Sequence, residues 1–186
     1  MAQLDAQTFL DLAERAKALC FFDLESTGLN GDYNSLLVGV VKPLGGAAFV
    51  ASVRKPGSDR ELAIAVRDQL ERYTVWVSFY GKGFDVPMLQ SRLLFHKERA
   101  LEKRHHVDLY WHLRAVVNPS RRGQGAYLRW LETPAQKMDM SQEDWNRVLS
   151  NPKAALPKMI RRCVSDAVGL QGLYKRSRHL VGEVQR

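Results

Sequence analysis

The fold of this chain is decided by one stretch, Cys20-Phe21-Phe22-Asp23-Leu24-Glu25-Ser26-Thr27-Gly28. An apolar run that ends in Ser-Thr-Gly predicts a buried central strand. Side chains alternate along a strand, so Asp23 and Glu25 point to the same face. At about 5 Å and an effective dielectric of about 20, their repulsion is roughly 3 kcal/mol. A cation between the carboxylates, or a proton on one of them, would relieve it. We expect a metal site, and the alternative is an acid pair at a frayed strand end.

Length and composition predict an intracellular protein with one domain. The 186 residues suit a single domain over 1–186, with an N-terminal helix in 1–19 and a helical C-terminal part in 127–186. Cys20 and Cys163 lie in apolar segments and are expected to be core thiols, which fits a reducing compartment. No apolar run approaches membrane length, and the acidic N-terminus does not resemble a signal peptide. We therefore expect a cytoplasmic location and no membrane partner.

The charge is unevenly distributed along the chain. Residues 1–91 hold 9 basic and 11 acidic side chains, a net of −2, whereas residues 92–186 hold 19 and 9, a net of +10. An acidic half joined to a basic half suits a metal site beside a groove for a polyanion. Nucleic acid is therefore the expected partner.

Hydrophobic periodicity predicts three strands, then a helix, a strand, a helix, a strand and further helices. The strands are expected at 20–25, 35–41, 47–53, 74–80 and from 106, the last being either a strand to 113 or a short strand that runs into a helix. The helices are expected at 5–19, 61–73, 84–98, 127–132, 141–149 and from Pro157 onward. The first three strands can form an antiparallel meander, and the later ones add in parallel through right-handed crossovers. This order predicts an α/β domain with a mixed five-stranded sheet and helices on both faces.

Three further acids lie in contexts that suggest a role. Asp85 follows a predicted strand in Gly81-Lys82-Gly83-Phe84-Asp85 and begins a helix, where it could instead only favour the helix dipole. Asp166 lies within a predicted helix, where Asp has poor propensity, although a solvated polar face would also explain it. Asp108 is flanked by apolar and aromatic residues, so we expect it to be partly buried.

Three of these segments resemble the ordered motifs of the DnaQ-like, ribonuclease H-fold DEDD nucleases. Residues 22–29 resemble the first exonuclease motif, residues 81–89 the second, and residues 163–168 the last, which usually lies on the final helix. The YprB-like branch, which includes phage members, has a similar Gly-Lys-x-Phe-Asp-x-Pro run and a similar apolar His-x-Asp-Leu segment. The resemblance covers nearly the whole chain and implies a ribonuclease H-like fold.

The resemblance also implies a 3′–5′ exonuclease that hydrolyses phosphodiester bonds, with DNA favoured and RNA as the second candidate. Such enzymes use two Mg²⁺ or Mn²⁺ ions about 4 Å apart, and these hard cations prefer carboxylate oxygens. By resemblance, Asp23 would bridge both ions, Glu25 and Asp166 would complete the site of the water-activating ion, and Asp85 would hold the ion at the leaving oxygen. Asp108 is a further candidate ligand. Cleavage should be negligible in a chelator.

The chain departs from the family pattern near the last motif. Relatives carry a His five residues, or a Tyr four residues, before the last Asp as general base, and here those positions are Arg161 and Arg162. Arginine does not deprotonate, so neither residue can be that base. Either the water ionises without a protein base or another group helps, with His105, His106, His112 and Tyr110 as candidates. Arg162 could hold a phosphate or developing charge, or it could pair with Asp166.

Several residues are candidates for contacts to the substrate. Thr27, Gly28 and Leu29 follow the first motif, where relatives contact the terminal nucleotide, and Lys82 lies in a glycine loop beside Asp85. Arg121 and Arg122 resemble a flexible phosphate clamp, or belong to a solvated loop. Tyr80 stands where the branch often has Asn. The four tryptophans, Trp76, Trp111, Trp130 and Trp145, are expected in the core.

Three other functions remain open from the sequence. The same fold could serve as a non-catalytic nucleic-acid-binding module or as a structure-specific endonuclease. Two carboxylates could also act as a glycosidase without metal. A chelator separates the glycosidase from the nucleases, because only the nucleases depend on a divalent ion.

Overall fold

The computed structural model describes residues 5–135 and 138–181, and within these ranges five strands form one mixed sheet. The strands are β1 (Leu19–Ser26), β2 (Leu36–Pro43), β3 (Phe49–Ser52), β4 (Val75–Ser78) and β5 (His105–Asp108). Their order across the sheet is β3-β2-β1-β4-β5, with β1, β2 and β3 antiparallel and β1, β4 and β5 parallel. The predicted α/β class, mixed sheet and central position of β1 are confirmed.

Seven α-helices surround the sheet within the described part of the chain. They are α1 (Ala6–Arg15), α2 (Arg60–Leu70), α3 (Asp85–Phe95), α4 (Leu109–Val116), α5 (Gln124–Trp130), α6 (Gln142–Ser150) and α7 (Pro152–Ser177), and a 3₁₀ turn follows at Arg178–Leu180. β5 is short and runs into α4, which confirms the second of the two alternatives for that segment. Parts of the predicted N-terminal helix and helical C-terminal region, at 1–4, 136–137 and 182–186, lie outside the described residues.

Helices lie on both faces of the sheet, and the alternation of β1 decides which side chains meet them. Leu24 pairs with Gly39, and a Cβ at Gly39 would collide with Val66 of α2, so the even-numbered residues of β1 face α2 and α3. Phe21 points the other way and packs edge-on against Tyr174 of α7, with ring centroids 5.6 Å apart. Asp23 and Glu25 share the face of Phe21, the one covered by α7.

The start of the last helix differs from the prediction. α7 begins at Pro152 rather than at Pro157, because the side chain of Asn151 accepts the N–H of Ala154 and Pro152 takes the first helical position. Pro157 lies in the second turn, where its missing N–H leaves only the carbonyl of Lys153 without a helical donor. Lys153 is exposed, so water can bond to that carbonyl.

Two smaller predictions have clear outcomes. Cys20 and Cys163 are buried and free, as expected for core thiols. The predicted capping box at the start of α6 is present, because Ser141 and Asp144 each accept the other's backbone N–H. None of the described helices combines the length and the apolar character that crossing a bilayer requires.

Candidate metal centre and its cleft

The carboxyl end of β1 is open on one side. Pairing of β1 with β4 ends at Phe21, opposite Val77, and the register with β2 shifts between Glu25 and Ser26. Irregular pairing of this kind is common beside active sites, and the carboxyl ends of parallel strands are where ligands bind in α/β sheets. Asp23 and Glu25 therefore lie where the sheet opens.

Three carboxylates converge at this opening. One ligand oxygen each from Asp23, Glu25 and Asp166 lies within 4.8 Å of the others. Glu25 is 7% exposed and Asp166 is 2% exposed, whereas Asp23 is partly open to solvent. We call these three residues, together with the adjacent Asp85, the acid cluster.

The last helix is fixed against β1 beside these acids. The thiol Sγ of Cys163 lies 3.3 Å from the backbone carbonyl oxygen of Asp23, a contact between positions 140 residues apart. Asp166 follows Cys163 by about one helical turn, so this contact brings its carboxylate over the acids of the strand. Gln124 of α5 donates from Nε2 to the backbone oxygen of Asp166 at 2.8 Å, which supports α7 from the other side.

Asp85 lies beside the three acids and bonds to the backbone of β1. Its Oδ1 accepts the N–H of Leu24 at 2.9 Å, and the residue is 5% exposed. The structure thus places Asp85 at the cluster but outside the group of three, since one of its oxygens holds the strand. Burial raises the pKa of Asp85 to about 7, against the lowering effect of backbone hydrogen bonds and with help from the charges of Asp108 and Glu25.

The negative charges in the acid cluster repel one another. Burial, followed by repulsion from Asp85, Glu25 and Asp166, raises the pKa of Asp23 well above its usual value. The carboxylates therefore favour protons or cations over a shared negative charge.

Arg162 supplies one positive charge from the protein itself. Its Nε lies 3.1 Å from Oε1 of Glu25 and 3.6 Å from Oδ2 of Asp166, one turn further along α7. Its guanidinium carbon is 5.7 Å from the centre of the Trp145 ring. Of the sequence alternatives for Arg162, the structure has the ion pair, and it extends to Glu25 as well. Arg161 is exposed.

Asp108, a further candidate ligand, accepts hydrogen bonds from the backbone. It is 1% exposed. Its Oδ1 accepts the N–H groups of Tyr80 (2.8 Å) and Tyr110 (3.1 Å), and its Oδ2 accepts the N–H of Lys82 (2.9 Å). Both oxygens are therefore used by backbone donors, and Asp108 is not in the group of three acids. It holds the loop that leads from β4 to Asp85.

His106, one of the candidate bases, lies on the wrong side of the sheet. Its ring is 5.6 Å from that of Phe22, whose side chain points away from Asp23, and its Nε2 is 2.7 Å from Oγ of Ser78. Burial, then the charges of Lys82 and His105, lower the pKa of His106 to about 3. It is a neutral structural histidine.

Two of the other candidate bases, His105 and Tyr110, have partners of their own. His105 packs against Phe9 of α1, with ring centroids 4.9 Å apart. The hydroxyl of Tyr110 accepts a hydrogen bond from Nη1 of Arg114 at 2.8 Å. Burial is the main cause that lowers the pKa of His112. None of the three histidines belongs to the group of converging ligands among the described residues.

A cleft of about 370 Å³ opens beside Glu25. Thr27, Gly28 and Leu29 form one wall, and Phe84 and Trp145 belong to the other. The structure thus brings the three predicted substrate residues next to the acids. Trp145, which the sequence places in the core, is partly buried against the core and also lines the cleft. Its second role gives no signal in the sequence, because its helix has an ordinary amphipathic pattern.

The predicted basic contacts lie outside the acid cluster. Lys82 is exposed on the loop that precedes Asp85. Arg121 is exposed, and Arg122 donates to Asn118 at 3.0 Å within the loop before α5. Gln124, in the same segment, reaches Asp166 and was missed, because a glutamine in a predicted loop gives no signal of its own.

The donor set fits divalent metal ions. The converging groups are all carboxylates, which offer the hard oxygen ligands that Mg²⁺ and Mn²⁺ prefer over thiolate or imidazole. Their mutual repulsion gives the folded protein a reason to bind cations at this point.

Comparison with known proteins places this geometry in a class. The model of the RNase_H superfamily matches residues 20–147, more than half of the chain. Among solved structures, the chain resembles the family B DNA polymerase from the hyperthermophilic archaeon Pyrobaculum calidifontis, with a TM-score of 0.69 and 16% sequence identity. The match covers 86% of this chain and 24% of the polymerase chain, and at this identity it shows the fold alone. No curated protein sequence matches.

The class is therefore a ribonuclease H-like α/β protein with an acidic centre at the open end of its sheet. The chain belongs to the RNase_H superfamily. Nucleases of this kind typically use divalent metals, and family, fold and buried acids together support a nuclease-type function.

Proposed function

We propose that the protein is a metal-dependent 3′–5′ exonuclease of the DnaQ-like, DEDD kind, related to the YprB-like branch and acting as a single domain on nucleic acid, with DNA favoured. The observation that carries this proposal is the convergence of Asp23, Glu25 and Asp166, which come from a central strand and the last helix, with Asp85 beside them. Acids from three separate motifs meet at one point, as a nuclease centre requires.

The proposed division of labour follows from the contacts. Asp23, Glu25 and Asp166 would hold the metal, with Asp85 as the fourth acid. Two bound Mg²⁺ or Mn²⁺ ions would supply an activated water and neutralise charge on the scissile phosphate. Asp85 also holds the strand through Leu24, which fixes the spacing of the acids on either side of it.

The cleft beside Glu25 is the proposed site of the terminal nucleotide. Thr27, Gly28 and Leu29 bring backbone groups and an exposed apolar side chain to it, and Phe84 and Trp145 add aromatic surface. Its position next to the acids would place the last phosphodiester bond at the metal centre. Lys82, Arg121 and Arg122 are proposed to contact phosphates further along the strand.

The test is a cleavage assay on single- and double-stranded DNA and RNA labelled at either end. With Mg²⁺ or Mn²⁺ we expect a ladder that shortens from the 3′ end, and no cleavage in chelator or with Asp23→Ala. Asp68→Ala, which removes an acid that is 54% exposed on α2, is the matched control and should cleave normally. Discrete internal products would instead identify a structure-specific endonuclease.

One observation favours a second candidate, a non-catalytic nucleic-acid-binding module. Arg161 and Arg162 stand where relatives carry the general base, and Arg162 is paired with Glu25 and Asp166. Binding of nucleic acid without metal-dependent cleavage of any substrate would decide for that module.

A further inference from the structure

Two large aromatic side chains are exposed near the acid cluster. The side chain of Tyr80 is 43% exposed and that of Trp111 is 49% exposed, and their ring centroids are 6.0 Å apart with the planes inclined by 42°. Tyr110 contacts both rings edge-on, with centroids 5.0 Å from Tyr80 and 4.9 Å from Trp111. We call Tyr80 and Trp111 the aromatic platform. Exposed aromatic surface of this kind commonly marks a binding site.

The protein holds the tyrosine of the platform in a strained conformation. Tyr80 has φ of 68°, in the left-handed region that bulky residues avoid. The buried carboxylate of Asp108 maintains this conformation by accepting the N–H groups of Tyr80 and Lys82. A Cβ at Gly83 would lie 2.5 Å from Cζ of Tyr80, so the ring can occupy its place only because residue 83 is glycine. Backbone strain that the surroundings enforce is found most often at functional sites.

One residue of the platform and one of the acid cluster, Tyr80 and Asp85, lie on the same segment, which runs from β4 into α3. Asp85 follows Tyr80 by five residues, and Phe84 between them lines the cleft beside Glu25. Two cations belong to the same region, since Lys82 follows Tyr80 by two residues and is exposed, and the guanidinium of Arg114 lies 5.8 Å from the ring of Tyr110, which contacts both platform rings. Aromatic faces bordered by cations suit a ligand that alternates flat apolar bases with phosphates.

We propose that the aromatic platform stacks an unpaired base of a single-stranded nucleic acid whose end lies in the acid cluster. The statement that the end of the strand lies in the acid cluster rests on the proposed exonuclease function. The stacking of a base on the platform does not depend on it. Bases in a duplex already stack on their neighbours, so the platform selects single strands. Because every base has a flat face, the selection is independent of sequence.

The test is a binding measurement by fluorescence anisotropy, with full-length chains carrying Asp23→Asn so that no substrate is consumed. The probes are a labelled single-stranded oligonucleotide, the same oligonucleotide with abasic positions, and a blunt duplex of the same sequence. Trp111→Ala should weaken binding of the single strand roughly tenfold, and Tyr80→Ala somewhat less. Neither variant should change binding of the duplex or of the abasic probe.

Two control variants keep the test decisive. Phe95→Ala removes a ring that is 62% exposed at the other end of α3 and should leave all affinities unchanged. Trp111→Phe keeps a stacking face and should restore most of the affinity, which separates stacking from loss of fold. If Trp111→Ala weakened binding of the single strand and of the abasic probe equally, or did not weaken binding of the single strand, the stacking proposal would be wrong.

The proposal and the exonuclease function can fail separately. If Trp111→Ala weakens binding of the single strand but the unmodified chain cleaves nothing in Mn²⁺, the platform stands and the exonuclease proposal falls. If the chain cleaves normally and Trp111→Ala binds the single strand as tightly as before, the platform falls and the exonuclease proposal stands.

Discussion

Two clusters of buried charge lie close to the end of the sheet where β1 ends and β2 begins, and they are built in opposite ways. In the acid cluster, several carboxylates face one another and a single arginine, and the pKa of Asp23 is raised. The second cluster has one carboxylate, that of Asp59, which is fully buried. Asp59 accepts hydrogen bonds from Arg92 (2.7 and 3.0 Å), from Nε2 of His96 (2.7 Å) and from the N–H of Leu36 (2.8 Å).

The difference shows in the direction of the pKa shifts. Burial alone would raise the pKa of Asp59, but the hydrogen bonds from Arg92 and His96 outweigh burial and lower it. A carboxylate whose donors come from its own chain belongs to the scaffold. A group of carboxylates that repel one another favours binding of protons or cations, and such groups are typical of functional sites. Arg92 also donates to the carbonyl of Gly31 at 3.1 Å, so the Asp59 cluster holds the loop after β1 against α3.

The largest expected effect comes from a substitution in the acid cluster that leaves the Asp59 cluster intact. Asp23→Asn should lower metal-dependent cleavage by at least about 10³-fold, because a ligand charge that the reaction requires is lost. The free energy of unfolding of the metal-free protein should not fall, since the substitution removes repulsion. Cleavage rates and urea unfolding of the same preparation test both statements, and a variant that cleaves at the normal rate would remove Asp23 from the centre.

The corresponding substitution in the Asp59 cluster should lower the stability of the protein. Asp59→Ala leaves the buried guanidinium of Arg92 without its partner and should lower the free energy of unfolding by about 3–5 kcal/mol. Glu143→Ala, which breaks the 2.6 Å ion pair between the exposed side chains of Glu143 and Arg147 on α6, should cost less than about 1 kcal/mol. Similar losses in the two variants would mean that the Asp59 cluster is no more important than a surface pair.

The two clusters should also respond to pH with opposite sign. The pKa of Asp85 is about 7 in the folded protein against an ordinary value of 3.8, so its contribution to stability is complete below about pH 4 and is lost as the pH rises through 7. The pKa of Asp59 is lowered, so its contribution is present above pH 3.8 and is lost as the pH falls further.

Unfolding by urea in chelator between pH 4 and pH 8 measures this. We expect the metal-free protein to lose about 2–3 kcal/mol over this range, and Asp85→Asn to lose less, the remainder coming from Asp23, whose pKa is also raised. Added Mn²⁺ should stabilise the protein more at pH 8 than at pH 5.5, because the ligands must be deprotonated to bind it. A metal-free protein whose stability rises with pH would contradict the raised pKa of Asp85.

The smallest effect concerns the one cation inside the acid cluster. Arg162→Gln removes a positive charge 3.1 Å from Glu25, so the metal-free protein should lose about 1 kcal/mol of stability. For the same reason Mn²⁺ should bind roughly fivefold more tightly, as measured by calorimetry without substrate. Arg161→Gln, which changes the exposed neighbour, is the matched control. Equal metal affinities for the two variants would show that Arg162 does not compete with the ions.

The sequence predicts the sheet, and it singles out the three acids that the structure brings together, because these signals are local. The apolar stretch around Asp23 and Glu25 marks a buried strand with two acids on one face. The glycines before Asp85 mark the end of another strand, β4. The last helix was placed too late, because the Pro157 signal masked the stronger one of Asn151 followed by Pro152.

Long-range partners could not be predicted. Nothing near Asp59 shows that Arg92 and His96 will reach it, since they lie on a different helix. The apolar neighbours of Asp108 predict its burial, but not its donors, which are backbone groups at Tyr80 and Lys82 and leave no trace in residue type. The exposure of Trp111 could not be predicted either, because tryptophans are usually buried and its neighbours in the sequence give no sign of exposure.

The contact between Cys163 and the carbonyl of Asp23 spans 140 positions, and this distance has a consequence for biosynthesis. A ribosome delivers the first two acids early and Asp166 only after α7 has emerged. An incomplete product that ends before α7 lacks one of the three converging carboxylates. Under the proposed function, nuclease activity would thus arise only at the end of translation, when α7 packs against the sheet.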